Sequence, residues 1–152
     1  MMFNKLDLDT ERLYDRARDE AIQIFENPNT RKGRTLEKII ETVEYGQTAE
    51  WFLIETMGYI DNPLKYQDVI DPDGDWVEVK VTKIPQYVPS VIQRLNEHRR
   101  NLDLWGKRAA NKAVIFTNDP NQDTYYKLAG YYEWNGFNFV EKKCVHLSQT
   151  MV

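Results

Sequence analysis

Apolar residues recur along this chain with two different periods. From Asp9 to Glu26, Leu13, Ala17, Ala21, Ile24 and Phe25 fall three and four residues apart, which predicts a helix over 9–26 capped by Asp9 or Thr10. Asn27-Pro28-Asn29-Thr30 stops it. Leu36, Ile39, Ile40 and Val43 resume the helical spacing behind Thr35, a second cap. Tyr45-Gly46-Gln47 predicts a bend or break, because glycine weakens a helix interior. Thr48 then recaps a further piece that carries Trp51, Phe52 and Ile54 to Gly58, a C-cap.

The period then changes to two. Tyr66-Gln67-Asp68-Val69-Ile70 and Trp76-Val77-Glu78-Val79-Lys80-Val81 read as two strands joined through Asp71-Pro72-Asp73-Gly74-Asp75, a run of turn residues. Val77, Val79 and Val81 point one way; Trp76, Glu78, Lys80 and Thr82 point the other. Lys83 to Pro89 is a stiff connection. A long helix follows from Ser90 to about Arg108, with Ile92, Leu95, Leu102, Trp105 and Ala109 on its expected buried side. Ala113 to Thr117 is a short apolar strand suited to the centre of a sheet. Asn118 to Asp123 is turn chemistry. The C-terminal part is aromatic. Asn135-Gly136, between Trp134 and Phe137, signals a type I′ hairpin. Its rings either close the sheet edge or stack on bases. Residues 126–132 fit a helical turn or a strand, and Val145 to Val152 a short tail.

The 152 residues predict one domain, 1–152, with 41% hydrophobic and 29% charged residues. No apolar run is long enough for a membrane span, and the N-terminus lacks a signal core. One cysteine, Cys144, excludes an intrachain disulfide and suits the cytoplasm or another reducing intracellular compartment. Two histidines and one cysteine exclude a structural zinc site. The net charge of -4 counts against coating nucleic acid by bulk charge. It leaves room for a site whose own acids hold cations.

Glu78 and Lys80 share a face about 7 Å apart along the strand. Asp68, on the preceding strand, is placed to lie across from them. Two carboxylates and an amine in a small volume suit phosphodiester hydrolysis. The acids hold a hard cation such as magnesium, the cation polarises the phosphate and acidifies water, and the lysine orients water or offsets charge. Glu-x-Lys on a wet strand face is otherwise common surface chemistry.

This stretch resembles the core of the PD-(D/E)xK nuclease superfamily, which includes restriction-endonuclease-like enzymes and Holliday junction resolvases. Asp68 matches its metal-bridging aspartate, Glu78 its second metal carboxylate and Lys80 its catalytic lysine. Gln67 stands where many members have proline. The helix Gly46-Gln47-Thr48-Ala49-Glu50-Trp51-Phe52-Leu53 resembles the family's acidic helix, with Glu50 as the match and Glu37 as the alternative. The resemblance implies an α/β fold with a mixed, mostly antiparallel central sheet flanked by helices and ending here in the aromatic hairpin. It implies a magnesium ion, or manganese in its place, held by Asp68, Glu78, the Val79 carbonyl and Glu50. The implied activity is a DNA endonuclease that is structure-directed, nicking or short-site. Its substrate would be duplex or branched DNA, and a homodimer would place two sites on two strands. Arg31, Lys32 and Arg34 form one basic patch; Arg94, Arg99, Arg100, Lys107 and Arg108 form another. Each is either a solvated surface or a source of phosphate contacts. His98 lies among them as a surface residue or an aid to catalysis. The alternatives are a noncatalytic nucleic-acid-binding or interaction module on the same fold, and a nuclease acting on RNA.

Overall fold

The computed structural model describes residues 1–63 and 68–148. A short strand β1 (Met2–Asn4) leads to α1 (Thr10–Glu26), a single turn α2 (Pro28–Arg31) and the long helix α3 (Leu36–Met57). Strands β2 (Ile60–Asp61), β3 (Asp68–Ile70) and β4 (Trp76–Thr82) follow, then α4 (Val88–Leu104), β5 (Lys112–Thr117), β6 (Tyr125–Trp134), β7 (Phe139–Lys142) and the turn α5 (Val145–Ser148). The sheet order is β1-β6-β5-β4-β3-β2, with β7 also on β6. β4 and β5 run parallel; the other pairings among the described strands are antiparallel. The fold is therefore α/β with a mixed, largely antiparallel sheet between helices. The apolar run of β5 lies inside the sheet, as its composition predicts. Tyr66, Gln67 and residues 149–152 lie outside the described residues.

Alternation along β4 separates two layers. Val77 and Val79 pack with Ala49, Phe52 and Leu53 of α3, and Phe3 stacks on Phe52 at 4.0 Å. The opposite face carries Ala113, Ile115, Tyr132 and Phe139 beneath Val91 and Leu95 of α4. Those residues belong to β5, β6 and β7; on the β4 side of this face a cavity lies between β4 and α4. α1 packs on α3, where Ala21, Ile39 and Ile40 form a smaller core.

Three local expectations are corrected and one open choice, the third below, is decided. First, α3 runs unbroken through Gly46 for 22 residues. Glycine costs about 1 kcal/mol there, while each large apolar side chain α3 buries contributes about 1.5–3 kcal/mol. Ile39, Ile40, Phe52 and Leu53 decide the balance. Thr48 does not recap the helix; its hydroxyl donates to the Glu44 carbonyl one turn back, 2.7 Å away. Second, α4 begins at Val88, with Pro89 accepted in its first turn. It ends at Leu104, so Trp105 is 63% exposed rather than buried. Third, residues 125–134 form one strand. Fourth, the last hairpin turns on Gly136–Phe137, one residue later than expected. The Asn135 N–H donates to the Asn138 carbonyl at 3.0 Å, and the Asn135 side chain accepts from Phe137 and Asn138 N–H. Gly136, at φ 101°, holds a conformation that strains other residues.

Candidate active site

The β3–β4 hairpin is set by its loop. Asp71 accepts through Oδ1 from the N–H groups of Asp73 and Asp75, each at 3.0 Å. The Asp71 N–H donates to the Asp75 carbonyl at 2.9 Å. The resulting register pairs Ile70 with Trp76, Val69 with Val77 and Asp68 with Glu78. Cross-strand partners are each other's nearest neighbours in a sheet, so the loop length brings positions 68 and 78 together.

Glu78 is buried, and its Oε2 has no hydrogen-bond partner among the described residues. It lines a cavity of about 420 Å³ between β4 and α4, together with Lys80, Arg94 and His98. Val91 and Leu95 form the apolar part of its wall. A buried carboxylate oxygen without a partner is costly. Glu78 lines a space that three basic residues, Lys80, Arg94 and His98, also line. Such a setting can hold a cation against the acid and an anion against the bases. The Val79 side chain lies on the other face, in the α3 core.

The structure does not bring Glu50 to this cavity. Its helix packs against the opposite face of the sheet, and Glu50 meets Arg16 instead, Oε1 to Nη2 at 3.6 Å. Arg16 also donates to Asp61, from Nη2 to Oδ1 at 2.5 Å and from Nε to Oδ2 at 3.3 Å. Burial pushes the Glu50 carboxyl up to about 8 despite the arginine, with further upward pressure from Glu20 and Asp61. Glu37 is exposed at the start of α3 and lines a different cavity with Lys5, Glu44 and Lys83.

The basic candidates divide by what they touch. Arg34 is tied to the carbonyls of Thr30 and Arg31, and Arg31 lies over the Phe25 ring. Lys32 is exposed. Arg99 pairs with Asp103 and holds the Ala110 carbonyl and Asn111. Arg100 clamps the last hairpin through the Phe137 carbonyl and Asn138. These two arginines join elements of the fold. Arg94 reaches the Glu78 cavity, whereas Lys107 and Arg108 are exposed beyond the end of α4.

Two groups stand outside those expectations. One carboxylate oxygen from each of Asp71, Asp73 and Asp75 lies within 4.8 Å of the others. Three acids so placed are able to coordinate a divalent cation. The alternating spacing Asp-x-Asp-x-Asp is the sequence signal, obscured because the same residues serve as turn formers. Asp71 is buried and the other two are exposed. The Lys112 ammonium already sits among them, 2.6 Å from Asp71, 2.8 Å from Asp75 and 3.7 Å from Asp73. Its hydrogen bonds to Asp71 and Asp75 hold its pKa above the ordinary lysine value, despite desolvation. The second group joins Tyr59, His146 and Cys144: the Tyr59 hydroxyl lies 2.8 Å from His146 Nε2, and Cys144 Sγ lies 3.1 Å from Nδ1. Burial raises the Cys144 thiol, which disfavours a thiolate nucleophile.

Comparison with protein-family models, with curated proteins and with solved structures found no match to this chain. Among the described residues no helix is long and apolar enough to cross a membrane.

Proposed function

We propose that this chain is a metal-dependent endonuclease with a restriction-endonuclease-like core, acting on DNA. The observation that carries the reading is the register pairing of Asp68 with Glu78, with Lys80 two residues further along and beside the same cavity. The order α3, β2, β3, β4, α4, β5, with β4 and β5 parallel, supports the same core. The donor set fits a hard divalent cation, because Glu78 offers a buried oxygen that no described residue satisfies. Asp68 and Glu78 would hold magnesium, or manganese in its place, with the Val79 carbonyl as a further donor. When bound, the cation supplies charge stabilisation at the phosphate and a more acidic water. Lys80 orients that water and offsets charge developing on the phosphate oxygens. Arg94 binds a neighbouring phosphate and fixes the strand for in-line attack, leaving a 5′-phosphate. A twofold dimer would give one site per strand of a duplex or branched substrate.

The engagement of Glu50 with Arg16 favours a second reading, a noncatalytic nucleic-acid-binding module. Cleavage of supercoiled plasmid, a hairpin and a four-way junction in magnesium separates the two. The nuclease reading expects cleavage that falls about 100-fold or more in both Lys80→Ala and Asp68→Ala. Cleavage untouched by either change, or none in magnesium or manganese, overturns it.

A further inference from the structure

Beyond the cavity, α4 presents a continuous exposed row. Arg94, His98 and Asn101 are spaced four and three residues apart, so they stack along one flank of the helix, and Trp105 follows just past its last turn. All four are exposed. Arg94 and His98 open onto the Glu78–Lys80 cavity. At the other end, the Trp105 ring is 63% exposed, with the Lys107 ammonium 5.6 Å from its centre. The Arg108 guanidinium covers Trp76 at 3.9 Å, at the start of the strand that carries Glu78. Asp103, two residues before Trp105, is paired with Arg99, and Glu97 is an exposed acid on the same helix. Cations thus lie at both ends of the row, and at one of them stands a largely exposed aromatic ring with a lysine ammonium over it.

We infer that this flank is a track for single-stranded nucleic acid, along which the sugar-phosphate backbone follows Arg94, His98 and Lys107 while a base stacks on Trp105. The inference rests on the Glu78–Lys80 cavity as the phosphodiester site and names the substrate state that reaches it. A duplex keeps its bases inside the stack and offers Trp105 no face. An unpaired strand offers one at every nucleotide, and stacking tolerates any base. The basic residues supply attraction that weakens with salt. An acidic peptide would use the same cations but not the open ring.

The test is fluorescence anisotropy in EDTA, with a labelled single-stranded DNA, the same strand as RNA, and the DNA strand in a duplex. The track expects single strands to bind more tightly than the duplex. Trp105→Ala weakens single-strand binding about 5- to 30-fold and duplex binding less than about twofold; Trp105→Phe restores most of the loss. Equal binding of duplex and single strand overturns the track, as does an unchanged single-strand affinity in Trp105→Ala. Displacement of the strand by polyglutamate at equal charge also overturns it. Cleavage in magnesium distinguishes the two levels. If Lys80→Ala abolishes cleavage while Trp105→Ala leaves binding intact, the track fails and the nuclease reading stands. If Trp105→Ala weakens single-strand binding in a protein that cuts nothing, the track stands and the nuclease reading fails.

Discussion

Glu50 and Glu78 are similar by the simplest measures and different in surroundings. Their exposures are 5% and 7%, and each has a carboxylate oxygen without a hydrogen-bond partner among the described residues. They sit on opposite faces of one sheet. Glu50 is enclosed between helices with a single guanidinium 3.6 Å away, and burial favours its neutral form. Glu78 opens onto a cavity shared with Lys80, Arg94 and His98. Burial alone therefore does not mark a site. What separates the two acids is their surroundings: Glu78 lines a cavity with three basic residues, whereas Glu50 meets one arginine inside the fold.

The largest expected effect breaks this comparison outright. Glu78→Gln should lower metal-dependent cleavage about 100-fold or more, while Glu50→Gln leaves it within about threefold. Equal losses in plasmid-nicking assays would return Glu50 to the site. The next effect concerns Lys112. Replacing it with methionine leaves three aspartates facing one another and should destabilise the fold by about 2–4 kcal/mol, below the range for a fully buried pair because Asp73 and Asp75 are exposed. Thermal unfolding would read this as a Tm about 4–12 °C lower. Manganese or calcium should restore part of the loss in the variant and leave the wild-type Tm unmoved by that loop.

Glu50 gives a smaller, pH-dependent effect. Its folded pKa lies near 8, above the ordinary 4.5. Between those values the folded state holds a proton that the unfolded state has released, so stability falls as pH rises through that window. Glu50→Gln cannot lose the proton. Denaturant titrations should find the two proteins alike near pH 5, and the variant more stable by about 1 kcal/mol or more at pH 9. A wild type that gains stability over that window would contradict the assignment. The smallest effect is Gly46→Ala. The added Cβ meets nothing within 4 Å, so a continuous α3 should gain about 0.5–1 kcal/mol.

The strand pair around Glu78 was legible because its two signals are local. Alternating valines fix the faces, and Asp71 to Asp75 fixes the register. The layer that Glu50 meets was not legible. A spacing of 3.6 residues tells which residues share a face but not which layer of the sheet that face meets, and α3 turned out to lie opposite Glu78. The continuity of α3 and the exposure of Trp105 failed for a related reason: each depends on what packs nearby. Gly46 is carried by the apolar residues on both sides of it, and Trp105 falls just past the last turn of α4. The aspartate loop was read correctly as a turn, but its cation partner, Lys112, is 37 residues beyond Asp75 and reaches it only through the parallel pairing of β4 with β5.

In the proposed function the cation binds beside Glu78 and not in the aspartate loop, where the Lys112 ammonium already sits. Calorimetric titration with manganese tests it directly, comparing wild type with Glu78→Gln and with the double variant Asp73→Asn, Asp75→Asn. The account predicts one binding event that Glu78→Gln abolishes and the loop variant retains. Binding that survives Glu78→Gln and disappears with the two loop aspartates would contradict it.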